Sequence, residues 1–357
     1  MDNRLSSEDI ENAIDELNKF IGVKEPISGK EINALVWDGK IKESIKHIAQ
    51  QLGLPIDINI IKVPENITSQ SGNNKFHSTQ IVKSENGASN NGITAQVNIP
   101  SNLPIYGTLR LNNFPINVWV SENCMKDPRG FLVIMSHELS HVLLNSLNYG
   151  KKDNEFYTDL TAMMLGFNEI FKYGRKNTTS TTDFGLLSST THYSTTIYGY
   201  LSSDQFYLAY ERINKILDVN RKKTKFILDQ LRKFKKLVSM YNKTFLRTKK
   251  YIEFLSRNSI KKFLGNDCDK VVAIFQPNYV GELDLDAKRY NQKYREFETF
   301  MKNLSHYTEP KMGNALAELK DLAEDSKAKL KLLSKDLDTV GKYISLTYKL
   351  KLFILNV

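Results

Sequence analysis

The 357-residue sequence predicts an α+β fold, with a small β-sheet and helices in the first half and a mainly α-helical second half. Three observations support this prediction. Short segments in which apolar and polar residues alternate, as in half-buried strands, lie between residues 56 and 120. A strongly apolar segment with helical periodicity begins at Pro128. From residue 204 onward, apolar residues recur at helical spacing among many charged ones.

The first half is expected to alternate between helices and strands. Helices are predicted over 6–21 and 40–53, the second ending at a glycine, which commonly follows the last helical turn. The predicted strands are 56–63, 93–99, 107–111 and 116–120. Residues 93–99 are the candidate for an exposed sheet edge, where an extended peptide can add as a further strand.

The helical second half is expected to begin at a capping box. Ser202 and Gln205 have the Ser-x-x-Gln spacing in which each side chain bonds the other residue's backbone N–H. The first helix is predicted to run to about Val219. Helical patterning then recurs over 220–262, 286–306 and 314–336.

Residues 137–141 carry the chemically most informative motif, His-Glu-Leu-Ser-His. His137 and His141 are four residues apart on the predicted apolar helix and therefore share one face. Two imidazoles placed in this way can hold a tetrahedral Zn²⁺ ion at about 2.0–2.1 Å. Glu138 would then lie beside the open position of the ion, where it can act as a general base. The alternative is a pair of histidines without a metal.

A third ligand is expected shortly after the motif. Glu155 and Asp159 are also four residues apart, on a helix that would start near Asp153 or Asn154 and fold back at Gly150. Glu155 can then reach the metal, and Asp159 can accept the second ring N–H of His137 or His141. An ordinary acidic first helical turn is the alternative explanation.

Over about residues 115–170 the chain resembles the glutamate-zincins, or gluzincins, a family of HExxH zinc metallopeptidases in which Glu-x-x-x-Asp follows the motif. The resemblance implies that His137, His141 and Glu155 bind Zn²⁺, that Glu138 is the general base and that Asp159 orients a ligand. It also implies a zincin-like sheet beside the active-site helices. Only 13 residues separate His141 from Glu155, fewer than in the best-known members. Asp159 and Asp153 therefore remain alternative third ligands.

Three regions follow from these assignments. They are a zincin-like metallopeptidase domain (1–172), a Ser/Thr-rich loop or lid (173–203) and a basic helical domain (204–357). A long polar loop after a catalytic centre often contacts substrate. This one offers four side chains that could stabilise an oxyanion: His192, Tyr193, Tyr198 and Tyr200. A plain linker is the alternative.

The positive charge is concentrated in the second half. The chain has a net charge of +10, and residues 220–263 alone contain 15 basic and 2 acidic residues. Such a segment can bind a polyanion or a protein partner, although a solvated helix face has the same composition. Motifs for nucleotide-driven or serine-based chemistry are absent from the sequence.

The expected function is therefore zinc-dependent hydrolysis of peptide bonds in a peptide or protein substrate. The alternative is a regulatory protein that binds nucleic acid or a partner, with a zincin fold and inert or absent zinc. Two cysteines, Cys124 and Cys268, fit a reducing compartment. The polar N-terminus and the lack of a long apolar segment predict a cytoplasmic protein without a transmembrane segment.

Overall fold

The structure, a computed structural model, describes residues 6–63, 76–77, 81–84, 95–184, 189–255, 257, 262, 273, 279–302 and 309–343. The chain divides into two compact units, Met1–Val219 and Asn220–Val357. The predicted α+β architecture, with a small mixed sheet and a helical C-terminal region, is confirmed. Within the described ranges, no helix combines the length and apolar composition needed to cross a membrane.

Most helices of the first unit begin after a residue whose side chain caps them, although the helices that start at Ile41 and Asn168 do not. The first helix starts after Ser6, whose hydroxyl accepts from the N–H of Asp9 while the Asp9 carboxylate accepts from Ser6. The described helices of this unit before its last one are α1 (Ser7–Ile21), α2 (Gly29–Trp37), α3 (Ile41–Leu52), α4 (Glu122–Lys126), α5 (Pro128–Ser146), α6 (Glu155–Ala162) and α7 (Asn168–Gly174). A π-helical turn, Met163–Phe167, joins α6 to α7. The predictions for α1 and α3 are confirmed, whereas α2 was not predicted.

Four strands form a mixed sheet: β1 (Asp57–Val63), β2 (Phe76–His77), β4 (Ala95–Asn98) and β5 (Pro115–Ser121). Their order is β1-β5-β4-β2, with β5 parallel to β1 and antiparallel to β4. Because β2 pairs with Val97 and Asn98, β4 is not the outermost strand of this sheet, and the prediction of a sheet edge at 93–99 is wrong for the residues of this range that the structure describes. The strand predicted over 107–111 is also wrong. A 3-10 turn at Leu109–Leu111 replaces it, because Gly107 at φ +81° turns the chain first.

Helix α5 lies at the centre of the first unit, where it contacts α2, α3, α6, α7 and β4. All but three of its residues are buried, so the helix is surrounded by protein on every side. Residues such as Phe131, Leu139 and Leu143 pack into one core with α1, α3 and the sheet. The central position of α5 therefore buries all five residues of the HExxH motif within this unit.

The Ser/Thr-rich segment contains a β-hairpin instead of the expected irregular loop. Strands β6 (Lys176–Phe184) and β7 (Ser189–Ile197) pair antiparallel, and β3 (Ile81–Ser84) pairs with β7. Threonine is β-branched and favours strands, and opposed threonines can bond across the pair. The hydroxyls of Thr178 and Thr195 are 3.2 Å apart, as are those of Thr182 and Thr191. A function of this hairpin as a lid stays a prediction.

The second unit is a set of long helices. They are the part of α8 (Ser203–Leu255) beyond Val219, α9 (Tyr279–Lys302) and α10 (Glu309–Tyr343). The predicted capping box is confirmed, since the backbone N–H of Ser202 and the side chain of Gln205 bond at 2.8 Å and the reverse pair at 3.3 Å. The helix that was predicted to end near Val219 instead extends to Leu255. Its buried residues, including Phe234 and Tyr241, pack with Tyr290 of α9 and with leucines of α10.

Candidate metal centre

The two histidines of the motif converge inside the first unit. His137 and His141 are 4 % and 0 % exposed, and their Nε2 atoms are 3.2 Å apart. The 3.6-residue turn of α5 stacks these side chains on one face. The predicted convergence of the pair is therefore present in the structure.

The chain that follows α5 brings a carboxylate to this pair. The chain turns first at Asn148, whose φ of +49° is tolerated by asparagine, and again around the predicted Gly150, where the N–H of Lys152 donates to the carbonyl of Tyr149 at 3.2 Å. Asn154 then caps α6, its side chain accepting from the N–H of Phe156. Glu155 is the first residue of α6, and its Oε2 lies 3.0 Å from the Nε2 atoms of both histidines.

These three groups can hold a metal ion. His137, His141 and Glu155 each offer one ligand atom, and the pairs of atoms are 3.0–3.2 Å apart. Ligand atoms at about 2.0–2.1 Å from a tetrahedral ion lie roughly 3.3 Å from one another. The donor set of two imidazoles and one carboxylate therefore fits such an ion and leaves a fourth position open.

Asp159 lies on the other side of His137 from Glu155. Its Oδ1 is 2.7 Å from Nδ1 of His137, and its Oδ2 accepts the backbone N–H groups of Tyr200 at 2.6 Å and Leu201 at 3.2 Å. Because an ionised carboxylate only accepts, Nδ1 of His137 carries the proton. The Nε2 atom then faces the metal position with its lone pair once a metal displaces any proton there.

Thr158 performs the corresponding task for His141. Its hydroxyl lies 3.3 Å from the backbone carbonyl of Asn154, to which it donates, and 3.3 Å from Nδ1 of His141. The Thr158 oxygen is then free to accept from His141, so Nε2 of this ring also faces the cluster. Thr158 was missed in the sequence because a threonine inside a helix carries no spacing that distinguishes it.

The charges of the site perturb the pKa of His137. Burial lowers the pKa of this imidazole, but the hydrogen bond and charge of Asp159, together with Glu155 and Glu138, raise it to about 10. The carboxylates therefore attract positive charge to this position, whether a proton or a metal ion supplies it.

Glu138 is 1 % exposed, and burial raises its pKa well above that of an ordinary carboxyl group. The charge of His137 opposes this shift, as does a hydrogen bond from the backbone N–H of Val97 in β4. Among the described residues, the Oε2 atom of Glu138 has no hydrogen-bond partner although it is buried. A buried oxygen without a protein partner is expected to bind water or substrate.

The four residues predicted to stabilise an oxyanion, one histidine and three tyrosines, lie in different parts of the structure. The Tyr200 ring stacks on the His137 ring, with centroids 5.3 Å apart and an interplanar angle of 23°. The Tyr198 hydroxyl instead donates to the Asp127 carboxylate at 3.1 Å, at the start of α5. The backbones of His192 and Tyr193 belong to β7, and their side chains lie outside the described residues. Of the two candidates whose side chains are described, Tyr200 is therefore the one that contacts a residue of the metal centre.

Comparison of the chain with protein-family models, curated proteins and solved structures gave no match. The interpretation of the site therefore depends on the geometry and chemistry of its own residues.

Proposed function

We propose that the chain is a zinc-dependent metallopeptidase of the zincin type that hydrolyses peptide bonds in a peptide or protein substrate. The observation that carries the proposal is the convergence of the His137, His141 and Glu155 ligand atoms within 3.2 Å of one another, one residue away from a buried base. A buried cluster of this kind is costly unless a bound ion or a reaction uses it.

His137, His141 and Glu155 would hold the metal. When bound, zinc would supply a Lewis acid that polarises the scissile carbonyl and lowers the pKa of water towards about 7. The residues around the ligands support this role, since Asp159 and Thr158 fix which ring nitrogen faces inward. Packing around α5, in which all but three residues are buried, would restrain the positions of His137 and His141.

Glu138 would act as the general base. Its unpartnered Oε2 atom can accept a proton from the attacking water and return it to the leaving amine. Burial favours this function, because a carboxylate with a raised pKa is a stronger base near neutral pH. The Val97 N–H fixes the carboxylate by a hydrogen bond, so the base is held in place by β4. We assign Tyr200 as the candidate donor to the oxyanion, from its contact with His137.

The test compares the wild type with Glu138→Gln in cells or lysates, with newly formed protein N-termini identified by mass spectrometry. The Gln variant should retain one zinc per chain and lose cleavage by about 10²–10⁴-fold, because an amide cannot accept the proton. Glu122→Gln, at the exposed start of α4, is the matched control and should cleave normally. Equal cleavage by the wild type and Glu138→Gln would contradict the proposal. If both proteins also bind zinc, equal cleavage would favour the alternative, a regulatory binding protein with inert zinc.

We also propose that the basic part of α8 binds a polyanion. Lys222, Lys236, Lys243 and Lys250 are exposed and recur at multiples of seven residues, so they lie along one face of the helix. Exposed Arg232 and Lys233 stand near the same face. The charged residues of α9 and α10 balance one another by number, and several form pairs such as Lys293–Glu318 and Lys329–Asp286. The excess positive charge of this unit is thus concentrated on α8.

A further inference from the structure

A tight turn between the hairpin and α8 packs against the carboxylate of Asp159. This turn comprises Gly199, Tyr200 and Leu201. Two consecutive backbone N–H groups, those of Tyr200 and Leu201, donate to the Oδ2 atom of Asp159. The other oxygen of the same carboxylate bonds Nδ1 of His137. One carboxylate therefore connects the turn to a ligand of the metal centre.

Gly199 makes this close approach possible. Its φ is +90°, a backbone conformation that side chains other than glycine's rarely adopt. A Cβ atom at this position would lie 2.9 Å and 3.2 Å from the two oxygens of Asp159. Any larger residue would therefore have to displace either the turn or the carboxylate.

Arg175 bonds the backbone carbonyls at the end of the turn. Its guanidinium donates to the carbonyl of Leu201 and, at 3.5 Å, to that of Ser202. The side chain is 6 % exposed and lies 4.6 Å from the ring centroid of Phe206. Its backbone carbonyl also accepts the N–H of Tyr198 at 2.7 Å. A buried arginine that bonds successive carbonyls restricts the turn to one conformation.

We infer that the turn Gly199–Leu201, held by Arg175, positions the Asp159 carboxylate and thereby fixes the orientation and tautomer of His137 for metal binding. Gly199 and Arg175 are positioning residues, since they act through Asp159. The inference rests on the proposed metal centre, but its first measurement does not require a metal.

The test uses the full-length chain with ¹⁵N-labelled histidine. In the metal-free wild type, NMR should show a protected, downfield Nδ1 proton that disappears in His137→Ala. Gly199→Ala should lose or strongly shift this signal and should bind zinc about 10–100-fold more weakly in competition with a chelator. The matched control is Gly107→Ala. Gly107 has φ +81°, and a Cβ there would meet nothing within 4 Å, so the control shares the backbone strain without the contact.

A second pair of variants keeps the test decisive if Gly199→Ala does not fold. Arg175→Met removes the donors to Leu201 and Ser202 and should weaken zinc binding, whereas Arg175→Lys should restore part of the affinity. A folded Gly199→Ala protein with an unchanged Nδ1 signal and unchanged zinc affinity would overturn the inference. Equal losses in Gly107→Ala, or equal effects of Met and Lys at Arg175, would also overturn it. If the wild type binds no zinc, the proposed function fails, and the Nδ1 signal alone decides about the turn.

Discussion

The two units of the chain bury their polar groups in different ways. The first unit encloses ionisable side chains, with His137, Glu138 and Asp159 at 4 %, 1 % and 1 % exposure. The second unit buries tyrosine rings whose hydroxyl groups donate hydrogen bonds to acidic side chains. The Tyr290 hydroxyl donates to Asp325 at 2.8 Å, and the Tyr241 and Tyr290 rings meet edge to face at 5.2 Å.

This difference distinguishes an interior that contains the proposed metal centre from one that contains mainly packed rings. Each buried charge costs free energy unless other groups compensate it, so a cluster of them points to chemistry. A buried tyrosine whose hydroxyl reaches a carboxylate costs little and adds packing energy. The exposed charge differs as well: the excess of basic residues lies in the second unit, on α8. The comparison predicts that substitutions in the first unit can change the zinc content, and substitutions in the second unit the stability, independently of each other.

The largest expected effect is the loss of metal from the first unit. His141→Ala and Glu155→Ala should each reduce bound zinc from one per chain to none, because a centre with three protein ligands loses one of them. His47→Ala, which removes an exposed histidine of α3, should leave the zinc content unchanged. Elemental analysis of purified protein after loading at neutral pH measures the ratio. Zinc absent from the wild type, or retained in both ligand variants, would contradict the assignment.

The next effect concerns the stability of the second unit. Phe234→Ala should lower its free energy of unfolding by about 3–5 kcal/mol, because this fully buried ring leaves a cavity between α8 and α9. Zinc content should stay unchanged. Both tryptophans, Trp37 and Trp119, belong to the first unit, so their fluorescence reports on that unit during denaturation. In Phe234→Ala, the unfolding transition followed by circular dichroism should shift to a lower denaturant concentration. The transition followed by tryptophan fluorescence should not shift. Equal shifts in both signals would show that the two units unfold together.

A smaller effect is expected from Asp159→Ala. Loss of the carboxylate that orients His137 should weaken zinc binding by about 10–100-fold without eliminating it. Chelator competition on Asp159→Ala and Glu155→Ala proteins gives the ranking. A greater loss in Asp159→Ala than in Glu155→Ala would identify Asp159 as the third ligand instead.

The smallest expected effect is on the basic part of α8. Changing Arg232, Lys233, Lys235 and Lys236 to Gln should flatten the salt dependence of binding to duplex DNA, because fewer counterions are released. Zinc content should not change. The matched control removes four lysines from α9 and α10: Lys302, Lys327, Lys331 and Lys335. Binding to neither duplex DNA nor anionic vesicles, or equal slopes for the two quadruple variants, would show that the α8 charges are merely solvated.

Local patterns in the sequence were sufficient for many elements. The capping box at Ser202 and the helices α1, α3 and α5 follow from spacing within a few residues. The hairpin was missed because its threonines were interpreted by their polarity and not by their β-branching. The strand predicted at 107–111 was wrong because Gly107 and Asn113, both with positive φ, bend the chain there.

The sequence by itself determined that two histidines share a helix face with a glutamate between them, since a helix repeat fixes this geometry locally. It also determined that acidic residues follow at one-turn spacing. Only the tertiary structure decided that Glu155 meets both imidazoles and that Asp159 bonds His137 and not His141. It alone brought Tyr200, 41 residues beyond Asp159, to that carboxylate. Such contacts depend on how packed elements close over one another, and no spacing along the chain encodes that closure.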